Sequence, residues 1–144
     1  MVVMRVSDIM VKTPITISPA MRVDEVANLM REKKISSVIL VTNGKPVGVV
    51  TERDLVHRVL AAGKEPGSLM AADICSKPVI AVSIHTLIED AVAIMNEHQI
   101  RRLIVIDDVD HVAGIVTTDD VGYNLKNMSE ELAIKYLSLI KRQK

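Results

Sequence analysis

The chain has 144 residues, 49% of them apolar, and 18 Lys+Arg are balanced by 18 Asp+Glu. That is core enough for one domain or two small ones, with no net field to draw in nucleic acid or acidic lipid. With two Tyr and no Phe or Trp, it offers no aromatic platform for stacking single-stranded bases, and its core must be built from Val, Ile, Leu, Ala and Met.

The single cysteine, Cys75, allows no internal disulfide and no cysteine-based zinc site. It sits in a short apolar turn and reads as a buried structural thiol. Met1 to Met10 is too short and too charged for a signal peptide, and no apolar run reaches the roughly 18 residues of a membrane helix. A soluble, cytoplasmic protein is expected.

Along the chain, Asp8-Ile9-Met10 recurs 65 positions later as Asp73-Ile74-Cys75. Pro14 then matches Pro78, and the strand-like run Ile15 to Ser18 matches Val79 to Ser83. Val23 to Met30 and Ile88 to Met95 both place apolar residues at helical spacing with acids in the first turn, and both read as amphipathic helices. Strands follow at Val38 to Val41 and at Leu103 to Ile106. Each enters a hairpin, through Asn43-Gly44 in the first copy and the longer Asp107 to Asp110 in the second.

The return strands end in twin motifs, Gly48-Val49-Val50-Thr51-Glu52-Arg53-Asp54 and Gly114-Ile115-Val116-Thr117-Thr118-Asp119-Asp120. A threonine followed three residues later by an acid predicts a capping box at a helix start. Such a corner offers a hydroxyl, a carboxylate and free backbone N–H groups at the positive end of a helix dipole, which suits a ligand bearing hydroxyls and phosphates. Helices are expected over Leu55 to Ala62 and Val121 to Lys126.

The fold class expected is α/β (α+β), a strand–helix–strand–strand–helix unit occurring twice. Repeat 1 covers 6–62, a linker with Gly63, Pro66 and Gly67 covers 63–71, and repeat 2 covers 72–126. Two units this small should pack sheet to sheet with pseudo-two-fold symmetry and leave a cleft. An amphipathic helix over 128–144 follows, with Ser129-Glu130-Glu131 at its start and an apolar stripe of Leu132, Tyr136, Leu137, Leu139 and Ile140. It packs on its own domain or forms a dimer contact.

The doubled Gly-x-x-Thr-x-x-Asp motif, the strand Ile100-Arg101-Arg102-Leu103-Ile104-Val105-Ile106-Asp107 and the Asn-Gly hairpin together resemble a cystathionine-β-synthase (CBS) domain pair, or Bateman module, from Val6 to about Leu125. The resemblance implies two ligand clefts, adenosyl-type ligands, a homodimer and no catalysis. It also implies regulation of an enzyme or transporter that the sequence does not identify.

Carried over residue by residue, it implies a main cleft in which Asp120 takes the ribose hydroxyls, beside Thr117 and Asp119. Arg101 and Arg102 would face phosphate, and Thr13, Pro14, Ile15, Thr16 and Ile17 would hold the adenine. Strand alternation sends the two arginines to opposite sides, so one of them should touch ligand. In the second cleft the same roles fall to Asp54, Thr51 and Arg53, with Lys77, Pro78, Val79 and Ile80 for the base. There Ser36 and Ser37 stand in place of the arginines, so the Asp120 cleft should be the tighter.

The ligand expected is AMP, ADP or ATP, with S-adenosylmethionine and NAD as alternatives, and there is no catalytic cofactor. His57, His85, His98 and His111 have no metal-ligand spacing. No Walker loop or nucleophile arrangement marks an enzyme. The reading is a non-catalytic energy sensor working by ligand-linked rearrangement of the two repeats, and the alternative is a ligand-free interaction module.

Overall fold

The computed structural model describes residues 3–124 and 130–142. In chain order the elements are α1 (Val6–Ile9), β1 (Val11–Lys12), β2 (Thr16–Ile17), α2 (Val23–Lys33), β3 (Ser37–Thr42), β4 (Lys45–Thr51) and α3 (Glu52–Leu55). A π-helical turn (Val56–Leu60) and a 3-10 turn (Pro66–Ser68) lead to α4 (Ala71–Ile74). Then come β5 (Ala81–Ser83), α5 (Ile88–His98), β6 (Arg102–Ile106), β7 (Val112–Thr117), α6 (Thr118–Tyr123) and α7 (Glu130–Arg142).

These elements form two compact units, one of 1–13 with 80–144 and one of 14–79. Sequence repeat and compact unit are different divisions of the chain. Each unit holds the body of one repeat and the short entry segment of the other.

In the 14–79 unit the sheet order is β2-β3-β4. β2 runs parallel to β3 with α2 as the crossover, and β4 returns antiparallel. Helix α2 forms because Val23, Val26 and Met30 share one buried face, with Asp24 and Glu25 in the first turn and Arg31 and Lys33 in the last. It stops where Lys34 turns left-handed, with φ 54°. The turn Asn43-Gly44 has φ 54° and 79°, the positive pair that a tight two-residue hairpin needs. The core gathers Val26, Met30, Val38, Leu40, Val50, Val59 and Ile74. Cys75 lies in it, buried as the sequence suggested.

In the other unit the sheet order is β1-β7-β6-β5. β5 and β6 are parallel around α5, β7 is antiparallel to β6, and β1 adds antiparallel to β7, pairing Val11 with Ile115 and Lys12 with Gly114. Helix α5 repeats the design of α2 in length and in its left-handed stop, here Gln99 with φ 54°.

Helix α7 lies on its own unit, where Leu132, Tyr136 and Leu139 enter the core beside Ile88, Val92 and Val121. Leu137, expected in the apolar stripe, is 60% exposed. One step of about 100° from Tyr136 carries it onto the outer face, with Ile134. The expected cap at Ser129, and the chain end at 143–144, lie outside the described residues.

Both post-motif helices begin earlier than expected. Thr51 and Thr117 are the N-caps, so α3 and α6 start at Glu52 and Thr118, with the motif aspartates in the first turn. Beyond Leu55 the expected helix continues as a π turn, in which the Ala61 amide bonds the Val56 carbonyl (2.8 Å). Helix α6 gives way to a turn at Asn124, and the rest of its expected span, 125–126, lies outside the described residues.

Candidate functional site

In the unit holding β7, the Thr117 backbone N–H donates to Asp120 Oδ2 (2.8 Å) and the Thr117 hydroxyl donates to the same oxygen (3.0 Å). The Asp120 N–H returns to Thr117 Oγ1 (3.2 Å). This is the reciprocal box that the spacing predicted. The Thr118 N–H is also engaged, by the Arg101 carbonyl (2.9 Å). Most of the amides expected to be free at this corner are therefore spent on the fold. What remains is the other half of the carboxylate: among the described residues Asp120 Oδ1 accepts no hydrogen bond.

Asp54 repeats the box. Its Oδ2 accepts the Thr51 N–H (2.9 Å) and hydroxyl (3.1 Å), the Asp54 N–H returns to Thr51 Oγ1 (3.2 Å), and the Glu52 N–H bonds the Ser36 carbonyl (3.1 Å). Its Oδ1, however, is occupied. The Ser76 hydroxyl donates to it at 3.1 Å, and Arg58 Nε lies 3.6 Å away. Asp54 is only 5% exposed, while Asp120 is half-buried.

Two closures hold Ser76 and Arg58 in place. Ser76 and Val49 exchange two backbone bonds (2.8 and 3.2 Å). Arg58 Nη1 donates to the carbonyls of Ile74 (3.2 Å) and Cys75 (2.9 Å). Neither residue was marked by the sequence reading. The available signal was the repeat itself, since Val11 stands where repeat 2 has Ser76, and Asn124 stands four residues after Asp120 where Arg58 follows Asp54.

Arg102 opens β6 directly across from Thr117, and Ser37 holds the equivalent place across from Thr51. Arg102 is half-buried, and Arg101, which precedes β6, is exposed. Asp119 and Arg53 are exposed. Thr13 belongs to the Asp120 unit and takes φ 52° just after β1. Pro14, Ile15, Thr16 and Ile17 belong to the 14–79 unit, where the Ile15 carbonyl accepts the Ile39 N–H (3.2 Å). Lys77 and Val79 share the unit of Asp54, joined to it through Ser76. Ile80 falls in the other unit, where its carbonyl accepts the Ile104 N–H (3.3 Å).

Tyr136 is a further neighbour of the Asp120 corner. A Cβ on Gly122 would sit 2.5 Å from its hydroxyl. Burial pushes the phenol pKa up, Asp119 acts in the same direction and Arg101 against it. Repeat 1 carries Val56 at the equivalent of Gly122.

A groove of about 510 Å³ opens elsewhere, on the helical face of the 14–79 unit, between Val23 and Ala27 of α2 and Leu55, Val56, Val59 and Leu60. None of the candidate site residues lines it. Its apolar walls suit a protein surface better than a phosphate.

A family model described as CBS domain matches residues 6–61 and 71–124. The CBS domain-containing protein YhcV of Bacillus subtilis (strain 168) is 32% identical over 138 residues, covering 96% of each chain. Protein MK0525 of Methanopyrus kandleri is 41% identical over 123 residues, which is 82% of this chain and 63% of the relative, so the chain spans under two thirds of that protein. Among solved structures, the CBS domain pair of protein MJ0100 in complex with 5′-methylthioadenosine and S-adenosyl-L-methionine is similar with a TM-score of 0.77 and 27% identity. That match covers 88% of this chain and 98% of the other.

Proposed function

The chain belongs to the CBS domain family, and from that membership we propose that it is a non-catalytic, cytoplasmic regulatory module that senses an adenosyl ligand. The observation that carries the reading is the Asp120 carboxylate, half committed to capping through Oδ2 and half open through Oδ1. A charged acceptor beside a threonine hydroxyl suits a ribose diol, since each ionised carboxylate oxygen accepts about two hydrogen bonds. Arg101 and Arg102 supply cations for phosphate or another anionic substituent, and Thr13 to Ile17 the surface for adenine. The complex of the MJ0100 domain pair with adenosyl compounds supports this ligand class. AMP, ADP and ATP are the leading members, with S-adenosylmethionine and NAD beside them.

In this reading a ligand biases the arrangement of the two repeats, 6–62 and 72–126, by its differential affinity for two states, and by no more than that. The regulated partner is an enzyme or transporter. The module works as a homodimer whose contact is the apolar groove of the 14–79 unit. Val56 and Leu60 there are 50% and 77% exposed, whereas their unit's counterpart carries α7 over Val121.

The test is a calorimetric titration with AMP, ADP, ATP, NAD and S-adenosylmethionine, of wild type and of Asp120→Asn. Asparagine keeps an oxygen for the cap and removes the charge. Binding of at least one ligand, weakened about tenfold or more in the variant, is the expected result. Silence from all five with folded, ligand-free protein would replace the sensor by an interaction module.

A further inference from the structure

The two motif aspartates are chemically unequal although their sequences are twinned. Both spend Oδ2 on the threonine N–H and hydroxyl. Oδ1 of Asp120 accepts nothing among the described residues, whereas Oδ1 of Asp54 already holds the Ser76 hydroxyl and faces the Arg58 guanidinium. A ribose would bring hydroxyl donors to that same carboxylate oxygen. A ligand at Asp54 would therefore have to displace an internal hydroxyl and separate a buried carboxylate from its cation, and an unpartnered buried charge is costly.

The arrangement has its own anchors. Arg58 is tied to two carbonyls of the segment that ends in Ser76, and that segment is itself bonded to β4 at Val49. Displacing the serine thus means loosening the link between the turn after α3 and the 74–76 segment. At Asp120 the corresponding positions are Val11, which has no donor in its side chain, and Asn124, whose amide donates to the Asp120 backbone carbonyl (2.8 Å) and leaves the carboxylate alone.

We propose that Ser76 and Arg58 are built-in occupants of the Asp54 site, standing in for the ribose hydroxyls and reserving adenosyl recognition to Asp120, so that the chain takes one ligand instead of two. This rests on the sensor reading and adds to it the two residues that set the stoichiometry. It is independent of the missing arginines at Ser36 and Ser37, because it acts on the ribose and excludes uncharged nucleosides as well as nucleotides.

The experiment replaces each occupant by its counterpart in the other repeat, Arg58→Asn with Ser76→Val, and titrates with 5′-methylthioadenosine, which carries the ribose diol and no phosphate, and with AMP. Wild type should take one ligand per chain and lose it with Asp120→Asn. Arg58→Asn/Ser76→Val should take two molecules of 5′-methylthioadenosine. Added to Asp120→Asn, the pair should restore one site, binding about tenfold or more tighter than Asp120→Asn alone.

Two ligands per wild-type chain would overturn the inference and leave the sensor intact, as would a folded triple variant that binds no better than Asp120→Asn. No binding of either compound by wild type or by the double variant would overturn both. Should the double variant fail to fold, the wild-type stoichiometry decides alone.

Discussion

The motif glycines are held by what faces them. A Cβ on Gly114 would meet Met10 Sδ at 2.6 Å and the Val11 carbonyl oxygen at 2.8 Å, and one on Gly48 would meet Cys75 Sγ at 2.8 Å. Met10 and Cys75 are the same position of the repeat, so the close approach is built twice, once with each sulfur. The two differ in what can yield. At Gly48 the clash is with a side chain, while at Gly114 it includes backbone fixed by the β1–β7 pairing. Gly114→Ala should therefore cost about 1–3 kcal/mol, and Met10→Ala should not rescue it. Gly48→Ala should be partly rescued by Cys75→Ala. Urea midpoints of the four single variants and two doubles check this.

The same residues mark where sequence reading stops. The glycine–threonine–aspartate spacing was legible because it is local, three residues closing one turn, and both boxes formed as the spacing required. The bond from Ser76 to Asp54 joins residues 22 apart, and the bonds by which Arg58 holds the Ile74 and Cys75 carbonyls span 16 and 17, although its approach to Asp54 is a local i,i+4 pair. Nothing periodic announces them, and only a comparison of the repeats position by position, after the fold, gives them meaning.

Among the elements, α2 and α5 were readable from apolar spacing and charge at their ends, since each buries one face against its own sheet. Strand β1 was not readable, because two residues carry no period and its partner β7 is about a hundred positions away. Helix α7 was legible as an amphipathic stretch, but whether it packs on its own domain or forms a dimer contact was not. Gly122 explains its seat: the missing side chain on α6 lets the Tyr136 ring approach.

That contact has a pH signature. Burial raises the Tyr136 pKa above its ordinary value of 10.0. A raised folded-state pKa means the neutral phenol is the form the fold prefers. Its contribution is complete below the unfolded pKa and is lost as pH rises through the folded one. Helix α7 should accordingly loosen above about pH 10, and Tyr136→Phe, which cannot ionise, should keep its helix signal there. Circular dichroism of the two proteins between pH 8 and 11 measures it, and identical curves would remove Tyr136 from the account.

At the scale of the whole molecule, the repeat offset makes the open groove of one unit the sequence equivalent of a covered face in the other. Val23, Ala27, Leu55 and Val56 line the groove. The counterparts of Val23, Ala27 and Leu55, which are Ile88, Val92 and Val121, are buried in the core that includes Leu132 and Tyr136, and Val56 is replaced there by Gly122. One helical face is thus closed by α7, and the equivalent face is left apolar and open. Leu60→Glu places a charge on that open face at a residue that is itself 77% exposed. Sedimentation should show a dimer for wild type and a monomer for the variant, with adenosyl binding by the monomer retained at Asp120. A wild-type monomer, or a variant that still dimerises, would remove the groove from the assembly.

The exchange of entry segments between units also sets an order on synthesis. Residues 14–79 are one continuous stretch, so everything that unit needs has been made once Val79 has been added. The other unit opens with residues 3–13, whose Val6 is fully buried and whose β1 pairs with β7, yet β7 is translated roughly a hundred residues later. At about 5–20 residues per second, that segment waits on the order of 5–20 s for its partner strand. This early-made segment must wait for a strand made much later before it finds its place, and its apolar residues are what a chaperone would meet in the interval.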